Sequence, residues 1–244
     1  MPKFFIDPGE VSESALRLCG DDAAHIAKTL RMRPGEKLIV CDGANTDYRC
    51  RILSLSPELV EAEILSAEAC RTEPALELTL CVALPKSDKL ELVVQKAVEL
   101  GVRQICVFRS VYCVPDPDAR AFGKRLQRLQ RIAREAAGQS LRGRVPEIEG
   151  LYSYREMLEK AAKSDQALFF YERGGVPLKT LLDGSPYRSV SAMIGPEGGF
   201  SEEEHRMACE AGLSTAHLGG RILRCETASI CAVAAVMFHA NEFA

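Results

Sequence analysis

The stretch SVSAMIGPEGGFSEEE, residues 189–204, passes from a strand through a glycine loop into a helix with no spare residues. Ser189 to Gly195 is an apolar, strand-like run, Gly195 to Ser201 is the loop, and Ser201 with Glu204 forms a capping box that starts the next helix. A strand feeding a helix in this way is the repeating unit of a parallel sheet covered by helices. In such sheets ligands gather at the carboxyl ends of the strands.

Reading outward, the same alternation fills the later part of the chain. Predicted strands are LTLCVALP (78–85), QICVFR (104–109), ALFFY (167–171), SVSAMIG (189–195) and TAHLG (215–219). Predicted helices cover 88–100, 122–137, 153–163, 201–211 and 226–240. The fold class is therefore α/β, with helices on both faces of the sheet. Residues 1 to about 68 read differently, as short β-like runs (KFFID, EKLIVCD, DYRCRIL, LVEAEIL) separated by turns such as Pro34-Gly35 and Asp42-Gly43. One helical stretch, Asp21 to Leu30, interrupts them, and the spacing suits a small barrel-like β domain. The change of pattern predicts two domains, 1–71 and 72–244.

The composition, 47% hydrophobic and 27% charged, excludes collagen-like and disordered classes. The longest apolar run, Ile230 to Phe238, is far short of the roughly 20 residues of a membrane-spanning helix. The opening residues, Met1 to Pro8, lack the basic and apolar segments of a signal peptide, which predicts a cytoplasmic protein with no membrane partner. Ten cysteines include no Cys-x-x-Cys pair, so no metal site is expected, and those in apolar runs (Cys81, Cys106) read as small buried hydrophobes.

Charge is informative locally. From Arg120 to Arg144 there are eight basic residues and one acid, Glu135, a balance of +7; the whole chain is −3, so the remainder carries −10. At helical spacing Lys124, Arg128, Arg131 and Arg134 share one face, and Leu126, Leu129, Ile132, Ala133 and Ala136 the opposite one. A stripe of one sign, rich in arginine, suits a polyanion better than it suits solubility alone. A merely solvated outer face is the plainer alternative.

A second glycine loop, LGGRILRCETA (218–228), also follows a strand and leads to a helix. Neither loop carries the Gly-Lys-Ser/Thr of a P-loop or the Gly-x-Gly-x-x-Gly of a dinucleotide site. Glu197 would repel a phosphate, so the pattern favours an adenosine-type ligand without phosphates, such as S-adenosylmethionine, over a nucleotide. Two structural turns with helix caps are the bland alternative. The first strand of the α/β region ends LPKSDKLE with no glycine fingerprint, so the ligand is expected late in the chain and not in a Rossmann-type layout.

The loops GPEGGFS and LGGRILRCETA resemble the late cofactor-binding motifs of the RsmE-type 16S rRNA uridine-N3 methyltransferases of the SPOUT superfamily. The resemblance extends over nearly the whole chain, through His25, Leu30-Arg31 and Gly35, through LPKSDKLELVVQKAVELGV (84–102), and through Arg134 to Ala137 with Gln139-Ser140. It departs at Gly138, where the family usually has an acidic residue. The resemblance implies a small PUA-like β-barrel that helps bind RNA, followed by a SPOUT α/β domain with a deep trefoil knot. It also implies a homodimer, S-adenosyl-L-methionine as cofactor, and methylation of a uridine near the 3' end, in the decoding region, of 16S rRNA in the small ribosomal subunit.

On this reading Ile194, Gly195, Pro196, Glu197 and Gly198, with Leu218, Gly219, Ile222 and Leu223, hold the cofactor, largely through backbone groups. Methyl transfer to a ring nitrogen requires loss of its proton and stabilisation of the resulting anion. Arg221 and Arg224 are candidates for the positive charge, and Glu172 or Glu226 for the base. Each has a rival role: Glu226 with Thr227 as a helix cap, Arg224 as an ion-pair partner across a dimer. His25, Arg31, Lys124, Arg128, Arg131 and Arg134 are the candidate RNA contacts. The alternatives are another SPOUT RNA methyltransferase, acting on a ribose 2'-oxygen or on tRNA, and a non-catalytic RNA-binding ribosome-assembly factor.

Overall fold

The computed structural model describes residues 1–12 and 14–243. The chain forms two compact units, Met1–Glu73 with Ala137–Val145, and Pro74–Ala136 with Pro146–Ala244. Residues 137–145, which the sequence pattern groups with the later residues, thus pack with the first unit.

In the first unit, strands β1 (Lys3–Phe5), β2 (Ala15–Cys19), β3 (Lys37–Cys41), β4 (Thr46–Leu55) and β5 (Leu59–Ala69) form a sheet in the order β1-β3-β4-β5-β2. β1 runs parallel to β3 and the other pairs are antiparallel. Alternation decides the core. Leu38 pairs with Cys50 and Leu18 with Val60, and each of these side chains is buried on the inner face. The predicted helix begins as α1 (Gly20–Ala24) and continues as a π-helical turn, His25–Thr29, which inserts Ala23 and Ile26 into this core. β2, ALRLC, lies outside the β-like runs read from the sequence.

The returning segment 137–145 is tied down by charges that burial forces into pairs. Arg142, only 3% exposed, forks onto Glu73, with Nε 3.1 Å from Oε1 and Nη2 2.9 Å from Oε2. The Gly143 N–H donates to the same carboxylate at 2.8 Å. Buried Lys3 donates to the Leu141 carbonyl at 3.1 Å and pairs with Asp47 at 2.6 Å. Gly138 explains its own departure from the family pattern: a Cβ there would lie 2.9 Å from the Lys3 carbonyl oxygen, so a side chain would push the two segments apart.

The second unit is built on seven parallel strands, β6 (Glu77–Ala83), β7 (Gln104–Phe108), β8 (Glu147–Tyr152), β9 (Gln166–Phe170), β10 (Val176–Pro177), β11 (Ser189–Ile194) and β12 (Ser214–His217). Their order is β10-β12-β9-β11-β6-β7-β8. The helices are α2 (Lys89–Glu99), α3 (Ala119–Gln139), α4 (Tyr154–Ala161), α5 (Leu178–Asp183), α6 (Glu202–Glu210) and α7 (Cys225–His239), the end of α3 belonging to the first unit. β6 and β11 lie mid-sheet and are apolar on both faces. Cys81 and Ala83 face a core shared with Met157, Leu158 and Ala161 of α4 and Ala208 of α6. α2 and α7 pack on each other, and α7 also covers β6 and β11. Burial pushes the Cys106 thiol up to about 12, so it behaves as an inert core group. β8, β10 and α5 were not predicted. β8 sits at the sheet edge with Ile148 as its buried side chain, and β10 has only two residues. Among the described residues no helix is long and apolar enough to cross a membrane.

Candidate functional site

The two glycine loops meet. They leave the carboxyl ends of β11 and β12, which flank β9 on either side, and enclose a cavity of about 530 Å³ with the end of β9 between them. That volume lies within the usual range for a small-molecule site.

The first loop stands on a buried aromatic. Phe200 is fully buried, its ring centroid 4.3 Å from that of Phe169 and stacked on Phe108 at 6.3 Å. Ser201 then caps α6: its Oγ accepts from the Glu204 N–H at 3.2 Å, and Glu204 accepts from the Ser201 N–H at 2.9 Å. The second carboxylate oxygen of Glu204 accepts the Val111 N–H at 3.0 Å, which anchors the turn after β7. In the second loop Gly219 has φ +98°, a left-handed conformation that side chains resist, and its N–H donates to His217 Nδ1 at 3.0 Å.

All of the residues predicted to hold the cofactor line this cavity: Ile194, Gly195, Pro196, Glu197, Gly198, Leu218, Gly219, Ile222 and Leu223. Glu172, Arg221 and Arg224 line it too. Glu172 follows β9, its carboxylate stands against Gly199, and its ion-pair contact, Arg173 Nε, is 3.8 Å away. Glu226 is not among the lining residues. It lies in the first turn of α7, accepts from Cys225 Sγ at 3.2 Å and sits 3.7 Å from Lys89 Nζ. Burial alone would raise its carboxyl, but its backbone hydrogen bond, the Cys225 thiol and the Lys89 and Arg224 charges outweigh that and hold it below the usual carboxylate range. Arg224 is the N-cap residue of α7, so Glu226 and Thr227 occupy the first turn and not the cap itself.

Lys89 is the residue that sequence reasoning passed over. It lines the cavity, and its Nζ lies 2.7 Å from Oε1 of Glu197. Burial would raise the Glu197 carboxyl, but the Lys89 hydrogen bond and backbone N–H groups, including that of Lys86, hold it low. Glu197, read from the sequence as a group that would repel a phosphate, thus has its charge paired with Lys89 within the fold. The one signal available was position, since Lys89 belongs to the quoted motif LPKSDKLE.

The candidate RNA residues are exposed. On α3, Lys124, Arg128, Arg131 and Arg134 face solvent while Leu129, Ala133 and Ala136 are buried, as the periodicity predicted. Arg125 is engaged internally, donating to the Ser87 carbonyl at 2.8 Å and Glu91 at 3.3 Å. Arg142 is likewise consumed by Glu73, so the basic stretch presents less free charge than its sequence count. In the first unit His25 is exposed and edge-on to Phe4, and exposed Arg31 adopts φ +51° just after the π-helical turn.

This combination, a parallel α/β unit with a late glycine-loop cleft and a separate small β unit, matches known proteins. Residues 72–237 match the RNA methyltransferase domain, and residues 18–65 the RNA methyltransferase PUA domain. The ribosomal RNA small subunit methyltransferase E of Bacillus subtilis (strain 168) is 30% identical over 98% of this chain and 96% of its own. The crystal structure of a ribosomal RNA small subunit methyltransferase E from Neisseria gonorrhoeae bound to S-adenosyl methionine is 34% identical, with TM-score 0.87, and covers 98% of this chain and 97% of that one. A methyltransferase from Legionella pneumophila in complex with the bound cofactor SAM is 29% identical, with TM-score 0.88, over 97% and 96%. The chain belongs to the RNA methyltransferase family, among the ribosomal RNA small subunit methyltransferases E.

Proposed function

We propose that this protein methylates N3 of a uridine near the 3' end, in the decoding region, of 16S rRNA, using S-adenosyl-L-methionine bound between the two glycine loops. The observation that carries the reading is the convergence of residues 194–200 and 217–225 on one cavity, in a chain of this family. The lining fits the cofactor: backbone groups of Gly195, Gly198 and Gly219 for its polar edges, and Ile194, Leu218 and Leu223 for its ring. When bound, that cofactor supplies an electrophilic methyl group on a sulfonium.

The chain's own residues do the rest. Holding donor and acceptor in line is the main requirement. Glu172 is the proton acceptor for N3–H, because its carboxylate lines the cleft, whereas Glu226 lies outside the lining and accepts from Cys225 Sγ. Arg221 and Arg224 stabilise the uridine anion formed when Glu172 takes the proton. The exposed arginines of α3, with His25 and Arg31, grip the RNA backbone of the small subunit. The domain boundary of the working protein is near residue 72.

A trefoil knot is the topology we assign to the late strands. Its support is the family resemblance of the late loops, with which the strand order β12-β9-β11-β6 is compatible. A homodimer is what the family resemblance supports, and exposed Phe238 in α7 is an apolar side chain available to such an interface. A cytoplasmic location accords with the substrate. The test is to incubate the protein and labelled cofactor with small subunits lacking the modification and to map the product by mass spectrometry. Label on uridine N3 supports the reading; label on a ribose or on tRNA alone overturns it.

A further inference from the structure

Three charged groups from three separate elements meet beside the cavity. Lys89, in the first turn of α2, places Nζ 2.7 Å from Oε1 of Glu197 in the first loop. The same ammonium is 3.7 Å from Oε2 of Glu226, which opens α7 directly after the second loop. The side chains are partly buried, with 28%, 25% and 15% exposure for Lys89, Glu197 and Glu226. The first loop is fixed from behind by Phe200 and the Ser201–Glu204 cap, and the second by α7 packing on α2. Lys89 is the side chain that joins their front edges.

We infer that Lys89 is a positioning residue that fastens the two cofactor loops to each other and so sets the width of the cleft. The inference rests on the proposed function in that both loops are taken to hold the cofactor. The Lys89 ammonium hydrogen-bonds Glu197 and lies within ion-pair distance of Glu226, so one cation serves two carboxylates. Its removal does more than delete a contact. It leaves Glu197, on the cavity wall, and Glu226, at the start of α7, as like charges with no cation between them, and their repulsion pushes the first loop away from α7. An isolated surface ion pair would contribute little, but here one cation stands between two anions from separate elements.

The test uses the full-length protein. Lys89→Met keeps the hydrophobic stem and removes the charge. Its cofactor Kd by calorimetry rises about fivefold, the KM for cofactor rises with it, and kcat at saturating cofactor changes less. Lys89→Met combined with Glu226→Gln removes the repulsion and recovers most of the lost affinity, a rescue that a purely packing role would not produce. Gly219→Val serves as the control for the cleft itself, since it fills the second loop. If Lys89→Met binds cofactor like the parent while Gly219→Val does not, the clamp is wrong and the cleft stands. If Gly219→Val also binds normally, the cofactor site is wrong as well. A double variant no tighter than Lys89→Met overturns the charge basis of the clamp, and thermal unfolding of each variant separates these outcomes from loss of fold.

Discussion

Replacing Glu204 with alanine tests how the first cofactor loop is braced. Glu204 is 3% exposed and serves three donors: the Ser201 N–H at 2.9 Å, the Ser201 hydroxyl at 3.1 Å and the Val111 N–H at 3.0 Å. Loss of the capping box costs about 1 kcal/mol. Stranding the Val111 N–H adds roughly 1–2 kcal/mol, the lower part of the range for an unsatisfied group, because Val111 itself is 70% exposed and water can reach it. The sum, about 2–3 kcal/mol, corresponds to a fall in Tm of roughly 4–12 °C for a domain of this size. Glu204→Gln keeps one acceptor oxygen and loses about half as much. Guanidinium unfolding of both variants gives the stability, and cofactor calorimetry gives the consequence for the loop. A Glu204→Ala protein within about 0.5 kcal/mol of the parent, with the same denaturant slope, would refute the brace.

Other expectations concern separate parts of the chain. Gly219→Val forces a β-branched side chain into φ +98° and into the cavity mouth, and calorimetry should find cofactor binding abolished, whereas Ile222→Ala should weaken it only moderately. Arg128→Ala and Arg131→Ala should each lower RNA affinity across sequences and reduce the slope of log K against log salt by about one unit; an unchanged slope would put those exposed side chains off the RNA path. In the first unit, burial would raise the Glu73 carboxyl, but Arg142 and the backbone N–H groups of Gly143 and Arg144 outweigh it and hold it low. The stability this contributes is complete above the ordinary glutamate value of about 4.3 and is lost as pH falls through the lower folded value. Glu73→Gln should therefore flatten the acid limb of a stability–pH curve; a limb as steep as the parent's would remove Glu73 as its source.

Local signals carried a large part of this structure. The strands that became β6, β7, β9 and β11 are largely apolar runs bounded by turn residues, and burial on both faces is what an apolar run means in a parallel sheet. In α3 the 3.6-residue period alone separates the cations from Leu129, Ala133 and Ala136, which are buried. The capping box at Ser201 is likewise a local motif, formed by side chains three residues apart. Edge elements were harder: β8 is half polar because one side of it meets solvent, and β10 is too short to show a period.

What the sequence determined by itself was the α/β class, the two glycine loops and the basic face of α3, because each depends on residues that are close in the chain and on which side of an element they fall. Only the tertiary structure decided who stands beside whom. It put β11 and β12 on opposite sides of β9 and so closed one cavity from two loops. It sent residues 137–145 to the first unit through Arg142–Glu73 and Lys3, partners separated by up to 138 positions. It also set Glu226 beside Lys89, outside the cavity lining, and left Glu172 on that lining. Periodicity specifies burial, whereas pairing between distant charges is settled only when the packed chain brings them within a few ångströms, where desolvation makes a partner obligatory.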